Sequence, residues 1–149
     1  MEWQQEATLA LRVLIAAVLG AIVGWERETE GRDAGVRTYA AVSLGACAFA
    51  LISSTLPATS NPHVIAAGVV TGVGFIGAGV ITRENGNIIG LTTAATVWST
   101  ASIGLSVGYG LFVIAIVVTL VSLGLLALQR IPAWQRITAP KPPKTRRGK

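Results

Sequence analysis

Long apolar segments separated by short polar ones dominate the chain. Residues 38–82 and residues 85–129 each run for 45 positions without an Asp, Glu, Lys or Arg. A helix that crosses a bilayer needs about 20 apolar residues, so each block can hold two such helices and a turn. Neither block shows the regular polar face of an amphipathic helix in a soluble protein. The pattern therefore predicts five membrane-spanning helices, at approximately residues 7–25, 38–56, 63–82, 91–107 and 109–128.

Turn signals separate the predicted helices. Pro57 and Pro62 lie between the second and third, and an Asn-Gly pair within RENGN (residues 83–87) lies between the third and fourth. SVGYG (residues 106–110) forms a short connection to the fifth helix, and Pro132 follows that helix, as expected where a helix cannot continue.

Composition supports a membrane protein. The 149 residues are 52% hydrophobic and 13% charged, with mean hydropathy +0.62, whereas soluble domains carry about 25% charged residues. The predicted fold class is all-α, a polytopic membrane protein with a glycine-rich, tightly packed bundle. Residues 1–130 form one transmembrane domain, and residues 131–149 form a basic, proline-rich tail that we expect to be disordered. The N-terminus lacks a basic n-region, so we expect the first apolar segment to be retained as a span.

Basic residues divide unequally between the two sides of the predicted bundle. Eleven of the twelve Lys and Arg residues fall in the first loop, the third loop or the tail. Positive residues mark the cytoplasmic side, so we expect the N-terminus outside and the C-terminus in the cytoplasm. The twelfth, Arg12, lies within the first span and either extends to the outer interface or marks a functional site.

The densest charge in the chain follows the first span, with seven charged residues between positions 26 and 37. Glu26 and Glu30 are like charges at i,i+4 near the negative end of a helix, so a positive group must compensate them. The sequence allows a solvated charge run, a cluster of ion pairs, or a magnesium site with these two carboxylates as candidate ligands. We expect Arg37 to be the compensating cation, connected to Glu26 and Arg27. The candidate ionic cluster at the cytoplasmic face comprises Glu26, Arg27, Glu28, Glu30, Arg37 and Arg83.

Glycines recur at helix-packing spacing in three predicted spans. Gly20 and Gly24, Gly68 and Gly72, and Gly104 and Gly108 are pairs four residues apart, which let helix backbones approach closely in lipid. The third span carries glycines on more than one face, which predicts a central helix with several neighbours. Glycine also permits an unwound segment whose carbonyls line an ion site, so both interpretations stay open. The residues concerned are Gly72, Gly74, Gly77 and Gly79.

The fourth span, GLTTAATVWSTASIG (residues 90–104), is rich in hydroxyl groups. Such hydroxyls usually bond to their own helix or to a neighbouring one. The alternative is a polar face that lines a cavity. The candidate residues for that face are Thr92, Thr93, Thr96 and Thr100.

Two segments match the residue spacing of a cofactor-binding or catalytic motif but lack the surroundings that the motif requires. GVGFIG (residues 72–77) has the glycine spacing of a dinucleotide site, but no strand precedes it and no acid lies about 20 residues on. GLSVG (residues 104–108) has the spacing of a nucleophile elbow, but His63 and Asp33, the only histidine and aspartate, are predicted on opposite membrane faces. We therefore expect no enzyme and no cofactor other than a magnesium ion, and no nucleic acid partner.

Four segments carry a resemblance to a known family. GWERE, AGVRTYA, VVTGVGFIGAGVI and GLTTAATVWSTASIG, in this order and spacing, resemble the MgtC/SapB family of bacterial membrane proteins. The resemblance covers residues 14–108 and includes Glu26, Arg27, Arg37, the glycines of the third span and the Thr92-Thr93 pair. Two departures stand out: Asn61-Pro62-His63-Val64 replaces the Asp-Pro-Ser-Arg stretch common in the family, and a basic tail stands where many members carry a C-terminal soluble domain, so we expect a short form of the family.

The resemblance implies a multi-pass protein of the bacterial inner (plasma) membrane, linked to magnesium homeostasis, growth at low magnesium, acid stress or virulence. Members have been associated with inhibition of the proton-driven ATP synthase. Two functions stay open. One is a regulator that acts on another membrane complex such as the ATP synthase, or that forms a homo-oligomer within the lipid bilayer. The other is a transporter or channel for magnesium or another ion. A divalent cation at depth normally needs carboxylates, and neither 45-residue block has one, which favours the regulator.

Overall fold

A computed structural model describes residues 3–57, 63–84 and 86–131, and within them five helices form an all-α bundle. The predicted turn residue Pro62 and the predicted disordered tail from residue 132 lie outside the described residues. The all-α, polytopic prediction is confirmed, and every predicted span coincides with a helix. The helices are α1 (Trp3–Thr29), α2 (Val36–Thr55), α3 (His63–Val80), α4 (Leu91–Gly108) and α5 (Phe112–Ala127), followed by a 3₁₀ turn (Leu128–Arg130).

A short hairpin joins α3 to α4. Strands β1 (Thr82–Glu84) and β2 (Asn87–Ile89) pair antiparallel, with Arg83 opposite Ile88. The turn contains Gly86 at φ +83°, a conformation that favours glycine. The sequence predicted this turn but not the strands, because three residues are too few to show an alternating pattern.

Within the described ranges, four helices are long and apolar enough to cross a membrane: α1, α2, α3 and α5. Helix α4 has 18 residues, about 27 Å at 1.5 Å per residue, but is less apolar because of its hydroxyl side chains. Ten of its 18 residues are buried. A helix enclosed by protein does not have to match the polarity of lipid, since its side chains face other helices.

The central helix is α4, and not α3 as the glycine pattern predicted. Helix α4 packs against all four other helices, whereas α3 packs mainly on α2 and α4. Only Val73 and Gly77 of α3 are buried. Helix α3 is also continuous from His63 to Val80, so its glycines do not form an unwound segment.

Glycines bring α1, α2 and α4 into close contact. A Cβ atom added at Gly20 of α1 would lie 2.7 Å from Ser43 Cβ, and one at Gly24 would lie 2.7 Å from Val36 Cα. A Cβ at Gly104 of α4 would lie 2.9 Å from Ala46 Cβ of α2. These separations are too short for any side chain, so two of the three predicted glycine pairs are packing positions inside the chain.

Candidate functional site at the charged end of the bundle

Most charged side chains of the described residues lie at one end of the bundle, where α1 and α5 end and α2 and α4 begin. We call this the charged end. A hydrogen bond joins Glu28 of α1 to the first residue of α2, and an ion pair joins Glu26 to Arg130 after α5. The helices therefore alternate in direction as the sequence predicted, with the first and third loops at the same end.

The compensating cation of Glu26 and Glu30 is Arg130. Its Nη2 atom lies 2.6 Å from Glu30 Oε1 and 3.4 Å from Glu26 Oε1. This corrects the expectation for Arg37, which is exposed and makes no ion pair among the described residues. Arg83, on the exposed strand β1, makes none there either. Arg130 belongs to no recognisable motif and lies 104 residues from Glu26. The sequence indicated this pairing only in so far as it placed both residues on the same membrane face.

Arg27 is a buried cation, with 2% of its side chain exposed. Its Nε atom lies 3.4 Å from Glu26 Oε2, close enough for an ion pair. Neither atom makes a hydrogen bond in the described residues. A guanidinium stays charged at all accessible pH values, so its burial is costly unless partners satisfy it.

Glu28 has a structural role in this cluster. Its Oε2 atom accepts a hydrogen bond of 2.9 Å from the backbone N–H of Val36, at the start of α2. Gly35, the residue before α2, has no side chain that could accept this hydrogen bond. A carboxylate at a helix N-terminus is also stabilised by the positive end of the helix dipole. A Cβ atom at Gly35 would collide with the Glu28 carboxylate, so Glu28 and Gly35 act as a unit.

The threonines of α4 divide into two groups. Thr96 Oγ1 lies 2.6 Å from the Tyr39 hydroxyl and within 3.0 Å of two carbonyls of its own helix. The threonine hydroxyl donates to a carbonyl, so the tyrosine hydroxyl donates to Thr96 Oγ1. Thr100 donates to the Thr96 carbonyl at 2.8 Å. These two hydroxyls are therefore used in packing, whereas Thr92 and Thr93 line a cavity of about 230 Å³ at the charged end.

Arg12 lies at the opposite end of the bundle, where it contacts the end of α4. Its Nη1 donates a hydrogen bond of 3.0 Å to the carbonyl of Gly108, the last residue of α4. Its guanidinium also lies 5.8 Å from the centre of the Phe112 ring. A cation at a helix C-terminus is favourable, so Arg12 terminates α4 and orients the start of α5.

The glycines of α3 are open in the structure. A Cβ atom at Gly72, Gly74 or Gly79 would meet no atom within 4 Å, and one at Gly77 would meet Ala94 at an ordinary 3.5 Å or more. Gly72 lines an apolar groove of about 640 Å³ between α2 and α3. The sequence left these residues as packing positions or as an unwound backbone site. Among them, only at Gly77 would an added Cβ atom lie within 4 Å of another helix in the described residues.

The carboxylates at the charged end are already engaged. Glu26 and Glu30 share Arg130, so a magnesium ion bound by both would have to displace that guanidinium. Within the described residues, no three His, Cys, Asp or Glu side chains gather into a metal-binding group. The arrangement offers an ion-pair network in place of a free carboxylate pair.

Single-arginine substitutions should distinguish the contribution of the buried Arg27 to stability from the contributions of the exposed arginines. We expect Arg27→Ala to lower the free energy of unfolding in detergent by about 1–3 kcal/mol, because Glu26 loses one of its two ion pairs. The cost stays below that of a buried pair whose remaining charge has no other partner, since Arg130 still pairs with Glu26. Arg130→Ala should cost about 0–1 kcal/mol because Arg130 is half exposed. Arg37→Ala should leave the melting temperature unchanged, and thermal unfolding of the purified variants measures all three. A loss for Arg37→Ala equal to that for Arg27→Ala would restore Arg37 as the compensating cation.

Comparisons with known proteins agree on one family. A sequence model described as the MgtC family matches residues 13–132. The chain is similar to Protein MgtC of Brucella abortus (strain 2308), with 41% identity over 130 residues, which cover 87% of this chain and 55% of that protein. It is also similar to Protein MgtC of Salmonella typhimurium (strain 14028s / SGSC 2262), with 46% identity over 127 residues, 85% of this chain and 54% of that protein. The chain thus spans about half the length of the curated relatives it matches, and no solved structure matches it significantly.

Proposed function

The chain belongs to the MgtC family of membrane proteins, and from this premise we propose that it is a regulator of another membrane complex. The process served is magnesium homeostasis or stress adaptation. The proton-driven ATP synthase is the candidate partner, because the family resemblance associates members with its inhibition. The proposed regulator acts by contact between helices within the bilayer.

The observation that carries this proposal is the set of unused glycines on α3. A helix that faces only lipid gains nothing from glycine, which lowers helix stability by about 1 kcal/mol relative to alanine. In membranes, small residues serve where another helix approaches closely. Helix α3 has four glycines at which an added Cβ meets nothing within 4 Å: Gly68, Gly72, Gly74 and Gly79.

Part of the glycine-rich surface of α3 forms one wall of the groove between α2 and α3. Gly45 of α2 and Gly68 and Gly72 of α3 line it, together with larger apolar side chains such as Phe49 and Ile76. An α-helix of a partner presents a ridge of side chains that packs into such a groove. The groove is apolar and lies within the spans, so its occupant is a membrane-embedded helix.

Transport is disfavoured by the chemistry of the spans. Magnesium holds its hydration shell tightly and prefers octahedral oxygen ligands. Residues 38–82 and 85–129 contain no carboxylate. The hydroxyls of Thr96 and Thr100 are engaged inside the bundle, and the carbonyls of α3 belong to a continuous helix.

Leucine in the groove should abolish regulation without unfolding the chain. We expect wild-type protein, reconstituted with purified ATP synthase in liposomes, to reduce ATP-driven proton pumping followed with a pH-sensitive dye. Gly72→Leu should remove most of that inhibition, because the new side chain occupies the space of the partner helix.

Gly124→Leu on α5 is the matched control for this experiment. Position 124 is equally open, since a Cβ atom there meets nothing within 4 Å. This variant should inhibit as the wild type does. Equal inhibition by Gly72→Leu and wild type would refute the groove as the contact face, and no inhibition by wild type would refute the ATP synthase as partner. Loss of a dimer with Gly72→Leu in detergent would instead assign the face to self-association.

A flux measurement tests the regulator against the transporter. Folded protein in liposomes that contain a magnesium-sensitive dye should give no uptake above empty liposomes when a membrane potential is imposed. The physical reason is the lack of carboxylates at depth. Saturable uptake that Thr93→Val or Gly74→Leu abolishes would establish the transporter.

The orientation in the inner membrane follows from the distribution of basic residues. Eleven of twelve lie in the loops and tail predicted to be cytoplasmic. A C-terminal fusion to alkaline phosphatase should therefore be inactive, and a fluorescent-protein fusion at the same position should be bright. An active phosphatase with a dark fluorescent fusion would reverse the orientation.

A further inference from the structure

A polar cavity at the charged end lies between the end of α1 and the start of α4. Its volume is about 230 Å³, several times the roughly 30 Å³ that one water molecule occupies in the liquid. No carboxylate lines it, although Glu26 and Glu30 lie at the same end of the bundle. The polar lining comprises Arg27, Arg32, Thr92, Thr93 and Gln129.

Arg27 gives the cavity a buried and incompletely bonded cation. The side chain is 98% enclosed, and its Nε atom makes no hydrogen bond to the described residues. The ion pair with Glu26 Oε2 neutralises part of the charge but does not supply hydrogen-bond geometry. An unsatisfied buried donor is rare in native proteins, and the arginine that carries this one also lines the cavity. The partner that a guanidinium favours is an oxyanion.

The start of α4 supplies donors from the backbone. The helix begins after Gly90, whose φ of +88° and close approach to the Val80 carbonyl exclude other residues. No side chain caps this end. The N–H groups of the first residues therefore lack partners within the helix, and they carry the positive end of its dipole.

Two hydroxyl groups complete the lining. Thr92 and Thr93 follow the first residue of α4, and both line the cavity. Their carbonyls accept bonds from Thr96, but within the described part of the chain neither hydroxyl makes a hydrogen bond. Arg32 adds a second guanidinium, held at this position by a backbone bond of 3.0 Å from its N–H to the Arg27 carbonyl.

We propose that this cavity is a phosphate-binding site. A helix N-terminus, two guanidinium groups and two free hydroxyls match the many acceptor oxygens and the negative charge of a phosphate group. The phosphate is carried either by a soluble anion or by the headgroup of an anionic lipid, since the charged end lies where the spans end. The site does not depend on the proposed docking of α3, which is on a different face.

The test measures binding by the full chain in detergent. Inorganic phosphate, added at constant ionic strength against chloride, should raise the melting temperature of wild-type protein in a saturable manner. Arg32→Gln and Thr93→Val should each weaken this binding about tenfold, the size expected for loss of one good hydrogen-bonding partner. Arg37→Gln is the matched control, because Arg37 lies at the same end but does not line the cavity, and it should bind as the wild type does.

A second arm distinguishes the lipid source. Native mass spectrometry of the protein with phosphatidic acid should show bound lipid that Arg32→Gln and Thr93→Val lose and Arg37→Gln retains. Retention of phosphatidic acid without any response to inorganic phosphate assigns the site to a lipid headgroup, and the converse assigns it to a soluble anion. No binding of either probe, or equal binding by the cavity variants and Arg37→Gln, overturns the proposal.

Discussion

Close contact between helix backbones is the constraint on which the rest of the structure depends. In lipid, apolar side chains gain little from leaving one apolar environment for another, so helices associate through close packing. Gly20 and Gly24 bring α1 onto α2, Gly104 and Gly108 bring α4 onto α2, and α1 and α4 also pack against each other. This three-helix contact decides which side chains of α1, α2 and α4 face protein and which face outward.

The contact explains how the least apolar helix becomes the central one. Hydroxyl side chains exposed to lipid would need partners that lipid cannot supply. At the centre, Thr96 meets Tyr39 of α2, and Ser99 lies 3.4 Å from Ser122 of α5. Most other hydroxyls of α4 donate to carbonyls one turn earlier in the same helix. The hydroxyl-rich composition that makes α4 unsuited to facing lipid therefore suits it to the centre of the bundle.

The two ends of the bundle use charge differently. At the far end, a single guanidinium on α1 terminates α4 and has no carboxylate partner among the described residues. At the charged end, Arg130 ties the last helix to the first through two glutamates, and Glu28 starts α2. Arg27 stays buried between these pairs and the cavity, which leaves a positive face toward the start of α4. The charge cluster that follows the first span thus joins helices, and does not serve only as a solvated loop.

The sequence by itself determined the class of the protein, the number of helices and their alternation. These properties follow from local composition, because a lipid environment imposes a length and a polarity on each segment independently. It also identified the glycines of α1 and α4 as packing positions, since their spacing along one helix is a local property.

Only the tertiary structure decided which helix is central and which groups pair. Gly68 and Gly72 have the same spacing as Gly104 and Gly108, yet a Cβ atom added at either would meet nothing within 4 Å in the described residues, because spacing does not specify a neighbour. Likewise Arg37 is nearer in sequence to Glu26 than Arg130 is, but the antiparallel arrangement of the helices carries the end of α5 to the carboxylates. The cavity was beyond sequence reasoning for the same reason, since its lining comes from α1, the hairpin, α4 and the end of α5, which meet only in the folded bundle.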